Sequence, residues 1–275
     1  MLGREARPRR IAFVILTWNS EAHIERCLGS ILAFRDIDVL TYVVDNGSSD
    51  RTLAILQRFE PDPRLSVFKQ RKNLGTTVSR NIALRRVPSD VEYVCVLDSD
   101  TRVNEAAFAA MIDALERNPG VGLVGPIMCS SAGATQLSGR NLPSVGIKLR
   151  KACPLAPVAE KGAAMEIPRA PVIDGLQQVE YLLSACWFMP RRVLEEVGFL
   201  DEAIFYAPED VDYCVRVQKA GYRVALCHEV EIVHEYQRLS KRKLLSKLNL
   251  EHLKGLAYYF AKHGYLFNPK RALGR

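Results

Sequence analysis

The sequence predicts an α/β fold with a mostly parallel central sheet flanked by helices. Three observations carry that expectation. Through the first half of the chain, short apolar runs alternate with stretches of helical period, the pattern that places helices on both faces of a parallel sheet. The apolar runs are continuous, as in strands buried on both faces. Three of them lead directly into the polar residues Thr17, Asp45 and Asp98. Such a sheet gathers these strand ends on one rim, where open α/β sheets bind ligands.

The elements follow in order. Ile11–Leu16 reads as the first strand, and after "TWNS" a helical pattern runs from Ala22 to Leu32, with Ser20 placed to cap it. Val39–Val44 is the second strand, closed by Asp45-Asn46-Gly47, and Ser48 or Ser49 can cap a helix reaching Phe59. Leu65–Phe68 and Thr76–Leu84 give the third strand and helix; Tyr93–Leu97, Glu105–Arg117 and Val121–Val124 add a strand, a helix and a fifth strand. Between Cys129 and Val179 the periodicity weakens and Pro, Gly and Ser punctuate the chain, so this segment reads as an irregular excursion. Regular structure resumes with a strand-like Val179–Met189, a short helix Arg191–Val197 ended by Gly198, a helix from Glu209 to Ala220 stopped by Gly221, and a strand Arg223–Leu226. From Ser240 the tail reads as a basic amphipathic helix. Leu245, Leu248, Leu253, Leu256 and Phe260 share one sector, with Lys243, Lys247 and Lys254 opposite. Such a helix suits docking on its own domain, contact with an anionic membrane surface, or a homodimer contact.

The chain has 275 residues, 48% of them hydrophobic and 25% charged, ordinary values for a soluble globular protein. Its net charge of +7 is unevenly placed. Tyr236 to Arg275 holds ten Lys/Arg against one acid, Glu251, and the first ten residues hold four Arg against Glu5. The body between them is net acidic, which argues against a nucleic-acid-binding core and for a basic C-terminal surface. Seven scattered cysteines without C-x-x-C spacing suggest a reducing compartment. The apolar run after the charged N-terminus is too short to span a bilayer. The expectation is a cytoplasmic protein without a transmembrane segment.

Two acidic constellations stand out. Asp98-Ser99-Asp100 ends an apolar strand with two like charges. Either both sit in water on a loop, or a cation belongs between them; Mg²⁺ and Mn²⁺ favour such oxygen ligands together with substrate phosphates. The second is "FYAPEDVDYCVRVQKAGYRV", Phe205 to Val224, where Glu209, Asp210 and Asp212 crowd a helix start behind Pro208. Helix-dipole capping and an Asp212–Arg216 pair are the structural account. The adjacent Glu-Asp pair exceeds what a cap needs, and a carboxylate there is well placed as a general base. His234 follows an apolar strand; by itself it suits a structural role as readily as a ligand. Cys214, Cys227, His228 and His234 lack zinc-ligand spacing, and no G-x-G-x-x-G follows a strand.

Eight segments occur in the order of one known family: "ILTWNSE", "VVDNGSSDRT", "NLGTTVSRNIAL", "VLDSDTRV", "QLSGRNLPS", "VEYLLSACWFMPRRVLEEVGFLDE", "FYAPEDVDYCVRVQKAGYRV" and "VEIVHEYQR". Together they resemble the inverting glycosyltransferases of family 2, with the GT-A (nucleotide-diphospho-sugar transferase) fold. The nearest look is to the rhamnosyltransferase-like branch that builds bacterial surface polysaccharides. The resemblance implies a basic tail over 1–10, a catalytic domain over 11–235 and a basic helical segment over 236–275. Within the domain, 11–126 would be the nucleotide-binding half and 127–235 the acceptor-binding half.

It further implies that Thr17, Asn19 and Asp45 line the nucleoside pocket, that Asn73 and Arg80 border the nucleotide and its diphosphate, and that Asp98 meets ribose and metal. Asp100 and His234 would complete a site for Mn²⁺ or Mg²⁺. Asp210 would deprotonate the acceptor hydroxyl, with Glu209 beside it on the acceptor. The donor would be a UDP- or dTDP-sugar, dTDP-rhamnose among them, and the acceptor a glycan or lipid-linked sugar. Membrane contact would be peripheral, on the inner face of the plasma membrane. "NLGTTVSRN" lacks the Phe and additional Gly common in the branch, and Ser184-Ala185-Cys186 stands where Gly-Ala-Cys is frequent, which leaves the donor sugar open. A nucleotidyltransferase would place a Gly-rich loop after the first strand, where this chain has "TWNSEAH". A catalytically inactive scaffold of the same fold is the non-enzymatic alternative.

Overall fold

The computed structural model describes residues 9–235 and 247–274, without the side chains of Lys247 and Leu248. Most of the basic N-terminal tail, the expected helix start at Ser240, and Lys243 and Leu245 lie outside the described residues. The first half contains β1 (Arg10–Thr17), α1 (Ile24–Leu32), β2 (Asp38–Asp45), α2 (Thr52–Phe59), β3 (Leu65–Lys69), α3 (Thr76–Leu84), β4 (Tyr93–Asp98), β5 (Thr101–Arg102), α4 (Glu105–Arg117) and β6 (Val121–Cys129). The excursion holds β7 (Thr135–Gln136), β8 (Gly139–Arg140), α5 (Val145–Ala152), α6 (Ala156–Ala164), β9 (Val172–Ile173) and β10 (Leu176–Val179). Then come β11 (Tyr181–Leu182), β12 (Cys186–Pro190), α7 (Arg191–Val197), α8 (Glu209–Lys219), β13 (Arg223–His234) and α9 (Lys247–His263), with a 3-10 turn at Pro269–Leu273.

The main sheet runs β3-β2-β1-β4-β12-β6-β13-β10-β9. Its longest pairings, β1 with β2 and β6 with β13, are parallel. β12 runs antiparallel between β4 and β6. Side chains of β1 divide by parity: Ile11, Phe13 and Ile15 pack with α1 and α4, while Ala12 and Val14 pack in the core that holds α3, α8 and part of α9. That is the two-sided burial the continuous apolar runs require. Register aligns the strand ends, Thr17 beside Asp45 and Leu16 beside Asp98. β13 pairs with β5, His234 opposite Thr101, so the last long strand returns to the loop that carries Asp100.

Several local expectations need correction. Ser20 does not cap α1 with its side chain: its hydroxyl meets Ser99 Oγ at 2.8 Å. Neither Ser48 nor Ser49 caps α2, which starts at Thr52, where the Thr52 amide donates to Asp50 Oδ1. The excursion contains two helices, α5 and α6, each with a single buried residue and so without a legible period. Val179–Met189 is not one strand but the end of β10, β11 and β12, interrupted where Ser184 turns toward α8. The strand starting at Arg223 continues past Leu226 to His234 through a bulge between Cys227 and Glu231. On α9 the buried stripe is Gly255, Tyr259, Phe260 and His263, with Leu256 half-buried; Leu253 points out. Packing against the segment before α8 selects this stripe, because a Cβ on Gly255 would run into the Ala207 carbonyl. Among the described residues, no helix is long and apolar enough to cross a membrane.

Candidate active site at the carboxyl rim

Asp98, Asp100 and His234 converge from β4, the following loop and the end of β13, and their ligand-capable atoms lie within 4.8 Å of one another. His234 Nε2 is 3.4 Å from Asp100 Oδ1. Its other nitrogen, Nδ1, lies 2.8 Å from Gln136 Oε1, and the same Gln136 donates through Nε2 to the His234 carbonyl. That second bond fixes the amide orientation, so Nδ1–H donates to Gln136 and Nε2 faces the carboxylates. Burial pulls the imidazole pKa down, but the Asp100 bond and charge outweigh it and the net direction is up. Burial pushes the Asp98 carboxyl up; Arg80 opposes that and Asp100 adds to it, leaving it raised. Two carboxylates and an oriented imidazole, with a raised carboxyl among them, fit a divalent cation.

Arg80 connects this cluster to the start of α8. It is 2% exposed, and its guanidinium donates to Asp98 Oδ1 at 2.6 Å, to the Ser184 carbonyl at 3.2 Å and to Glu209 Oε1 at 3.3 Å. Ser184 Oγ donates to the same Glu209 oxygen at 2.9 Å. One guanidinium thus spans the distance between the two acidic constellations. Arg80 is enclosed by carboxylates and a carbonyl of the chain, a bridge within the site.

The three acids of α8 divide by environment. Asp212 contacts Arg216 Nε at 3.0 Å, Lys262 Nζ at 2.7 Å and His263 Nε2 at 2.8 Å. Burial works against its ionisation, but these partners prevail and its pKa falls to about 2. It forms the expected pair with Arg216 in the first turn of α8, makes no side-chain cap bond, and fastens α9 to α8. Glu209 goes the other way, pushed up to about 8 by burial first and the Asp210 charge second. Burial also raises Asp210, opposed by the Val211 amide at 2.8 Å and by the charges of Lys148, Arg140 and Arg80.

The remaining candidates line the same rim. Thr17 and Asp45 are adjacent and buried, and Thr17 Oγ1 and Asp45 Oδ1 have no hydrogen-bond partner, an unusual cost at a strand end. Asn19, at φ +50°, joins two loops: its amide donates to Ser48 Oγ and its Oδ1 accepts from the Ser49 amide. Asn73 Oδ1 accepts from Asn46 Nδ2 and from the Gly75 amide. Asn46 was missed by the sequence reading. It is buried, accepts from the Leu74 amide and Ser79 Oγ, and so holds the loop before α3 against β2. Gln136 was also missed; its signal was its place in "QLSGRNLPS", close upstream of the second sheet's Gly139–Arg140 strand. Trp187 is fully buried and stacks on Tyr213, a core residue behind the rim.

The family profile described as "Glycosyl transferase family 2" matches residues 12–169. The chain is 28% identical over 259 residues to an N-acetylglucosaminyl-diphospho-decaprenol L-rhamnosyltransferase of Mycobacterium tuberculosis, covering 91% of this chain and 84% of that protein. Among solved structures it is similar to a mannosyltransferase from Pyrobaculum calidifontis in complex with GDP-Man and Mn²⁺ (TM-score 0.61, 20% identity, 94% of this chain and 64% of that one). It is also similar to S. aureus TarS in complex with UDP (TM-score 0.57, 19% identity, 82% and 60%). At these identities the structural likenesses show the fold, that of the GT-A transferases.

Proposed function

We propose, from the premise that the chain belongs to glycosyl transferase family 2, that it transfers a sugar with inversion from a nucleoside-diphosphate sugar to a hydroxyl of a glycan or lipid-linked acceptor. The observation that carries this reading is the Asp98–Arg80–Glu209 bridge, which joins a cation-fitting cluster to the buried Glu209 and, beside it, the half-buried Asp210. Thr17, Asn19 and Asp45 take the nucleoside, where the unpartnered Thr17 and Asp45 oxygens are offered to a ligand. Asn73 borders the nucleotide; Arg80 acts by holding Asp98 and Glu209 in register. Asp98, Asp100 and His234 would hold Mn²⁺ or Mg²⁺, which supplies electrostatic stabilisation of the diphosphate leaving group.

Asp210 is the base. Glu209, at about 8, keeps its proton near neutral pH, so the negative charge of the pair rests on Asp210. An ionised carboxylate at the N-terminus of α8 accepts the acceptor hydroxyl's proton as that oxygen attacks the anomeric carbon. A single base on the face opposite the diphosphate gives inversion, the division of roles seen in inverting glycosidases. The similar mycobacterial protein is named for rhamnose transfer to a diphospholipid-linked sugar; the same acceptor class, a lipid-linked diphosphate, is our reading here. The basic C-terminal segment, with Leu250 and Leu253 exposed on α9, suits an anionic membrane surface on the cytoplasmic side. Calorimetry with UDP-, GDP- and dTDP-sugars, with and without Mn²⁺, tests the assignment. Metal-dependent binding of one of them is expected, and its absence across the panel would return the chain to the scaffold alternative.

A further inference from the structure

Three cations of the excursion crowd one carboxylate. Glu166 is 2% exposed, and its Oε2 accepts from Lys151 Nζ at 2.6 Å and Arg140 Nη1 at 3.0 Å. Lys148 Nζ stands 4.0 Å from Oε1, beyond hydrogen-bond distance, and that oxygen is buried without a partner. All three cations keep a quarter or more of their side chains exposed. Three cations exceed the charge of one carboxylate, and Asp210, at the α8 start, feels both Lys148 and Arg140.

Beside these cations is an apolar groove of about 960 Å³, lined among others by Val145, Phe260, Ala261, Tyr265, Leu266 and Phe267. Val145 opens α5, its amide bonded to the Leu266 carbonyl. Lys148 lies three residues along the same helix, about 4.5 Å of rise away. α9 closes the other side: His252 feels the Lys148 charge, and Gly255 packs on Ala207, just before the helix that carries Asp210. Lys148 is thus within one helical turn of a groove-lining residue and within electrostatic reach of Asp210.

We propose that this surface is the acceptor's lipid-diphosphate site: Lys148, Arg140 and Lys151 bind the diphosphate, and the groove beside Val145 takes the first part of an attached apolar chain. The inference deepens the transfer reading and rests on it. Charge complementarity selects the occupant, because an uncharged lipid would leave the cations unused and a soluble anion would leave the groove empty. A sugar attached to that diphosphate extends toward Asp210, so one site both holds the acceptor and aims its hydroxyl.

The probe is farnesyl diphosphate, titrated into the full chain in EDTA so that the Asp98–Asp100–His234 site holds no metal. Inorganic diphosphate and farnesol are each expected to bind at least tenfold more weakly. Lys148→Met, which leaves both short Glu166 bonds in place, is expected to weaken farnesyl diphosphate roughly tenfold or more, the loss typical of one charge-assisted contact. Phe267→Ser, at a residue 70% exposed, is expected to weaken farnesyl diphosphate without changing inorganic diphosphate. Equal binding of farnesol and farnesyl diphosphate, or an unchanged Kd in Lys148→Met, overturns the site. The same preparations titrated with nucleotide sugars and Mn²⁺ score the transfer reading separately. Donor binding that holds while Lys148→Met has no effect sinks the lipid-diphosphate site alone. Donor binding that fails while Lys148→Met still weakens the probe sinks the transfer reading instead.

Discussion

The two acidic regions of the rim solve opposite electrostatic problems. Asp98 and Asp100 meet at a strand end with one cation, Arg80, on Asp98 and an imidazole near Asp100. Glu209 and Asp210 meet at a buried helix start, where burial raises both carboxyls. The first region sets two carboxylates against one guanidinium; in the second, burial favours the protonated form. Arg80, shared between them, keeps the two at a fixed separation. The difference teaches that like residue types at like spacing differ in chemistry through what encloses them. Asp212, two residues from Asp210, sharpens the point: two cations and an imidazole make it a fastening residue with a pKa near 2.

The largest expected effect separates the base from its neighbours. Asp210→Asn should lower kcat for transfer by roughly a thousandfold, within the range for loss of a general base, while donor binding measured by calorimetry stays as it was. A rate near wild type would remove Asp210 from the mechanism and with it the contrast drawn between the two regions.

Asp212→Asn should act on stability. Removing one partner of a buried ion network costs about 3–5 kcal/mol, read as a lower urea midpoint. The depressed pKa means that the Asp212 contribution is complete above its unfolded value of 3.8 and is lost as pH falls toward about 2. Wild type and variant should therefore converge in stability as the solution is acidified through that window. A gap that persists at pH 2 would mean that the pairs with Lys262 and His263 are not what holds α9.

Gln136→Ala tests how the imidazole is aimed. Loss of a partner that orients a metal-ligating histidine typically costs ten- to a hundredfold in affinity, so Mn²⁺ titration in the presence of nucleotide sugar should weaken by about that factor. Unchanged affinity would place the orientation of His234 in other contacts.

How much of this was legible in the sequence follows from the range of the interactions. Strands β1 to β4 and helices α3 and α4 could be read because burial on both faces writes a continuous apolar run and burial on one face writes a helical period. The acids at Asp98, Asp100, Glu209 and Asp210 stood out because charge at the end of an apolar run is costly without a reason. The contacts that join them did not. Arg80 lies in a short helix whose sequence gives no hint that its side chain reaches Ser184 and Glu209, over a hundred positions away. Helices α5 and α6 bury only Ile147 and Gly162, too few positions to print a period. Leu253 was placed on the wrong face of α9 because an apolar side chain does not say which stripe the neighbouring Ala207–Pro208 segment will select.

The last expected effect is the most specific to the α8 pair. Glu209 is held at about 8 against an ordinary value of 4.5, so the folded protein keeps a proton that the unfolded chain gives up. Stability should then fall as pH rises from about 4.5 toward 8, because ionisation favours the unfolded state throughout that range. The same ionisation puts a second negative charge beside Asp210, and transfer should decline on the alkaline side near pH 8. Glu209→Gln carries a neutral amide in place of the protonated acid. It should flatten the stability profile over this window, exceed wild type in urea midpoint at pH 8, and abolish the alkaline decline in kcat. A variant whose alkaline limb matches wild type would show that the limb belongs to another group, and that the proton assigned to Glu209 plays no part in keeping Asp210 the only charged base.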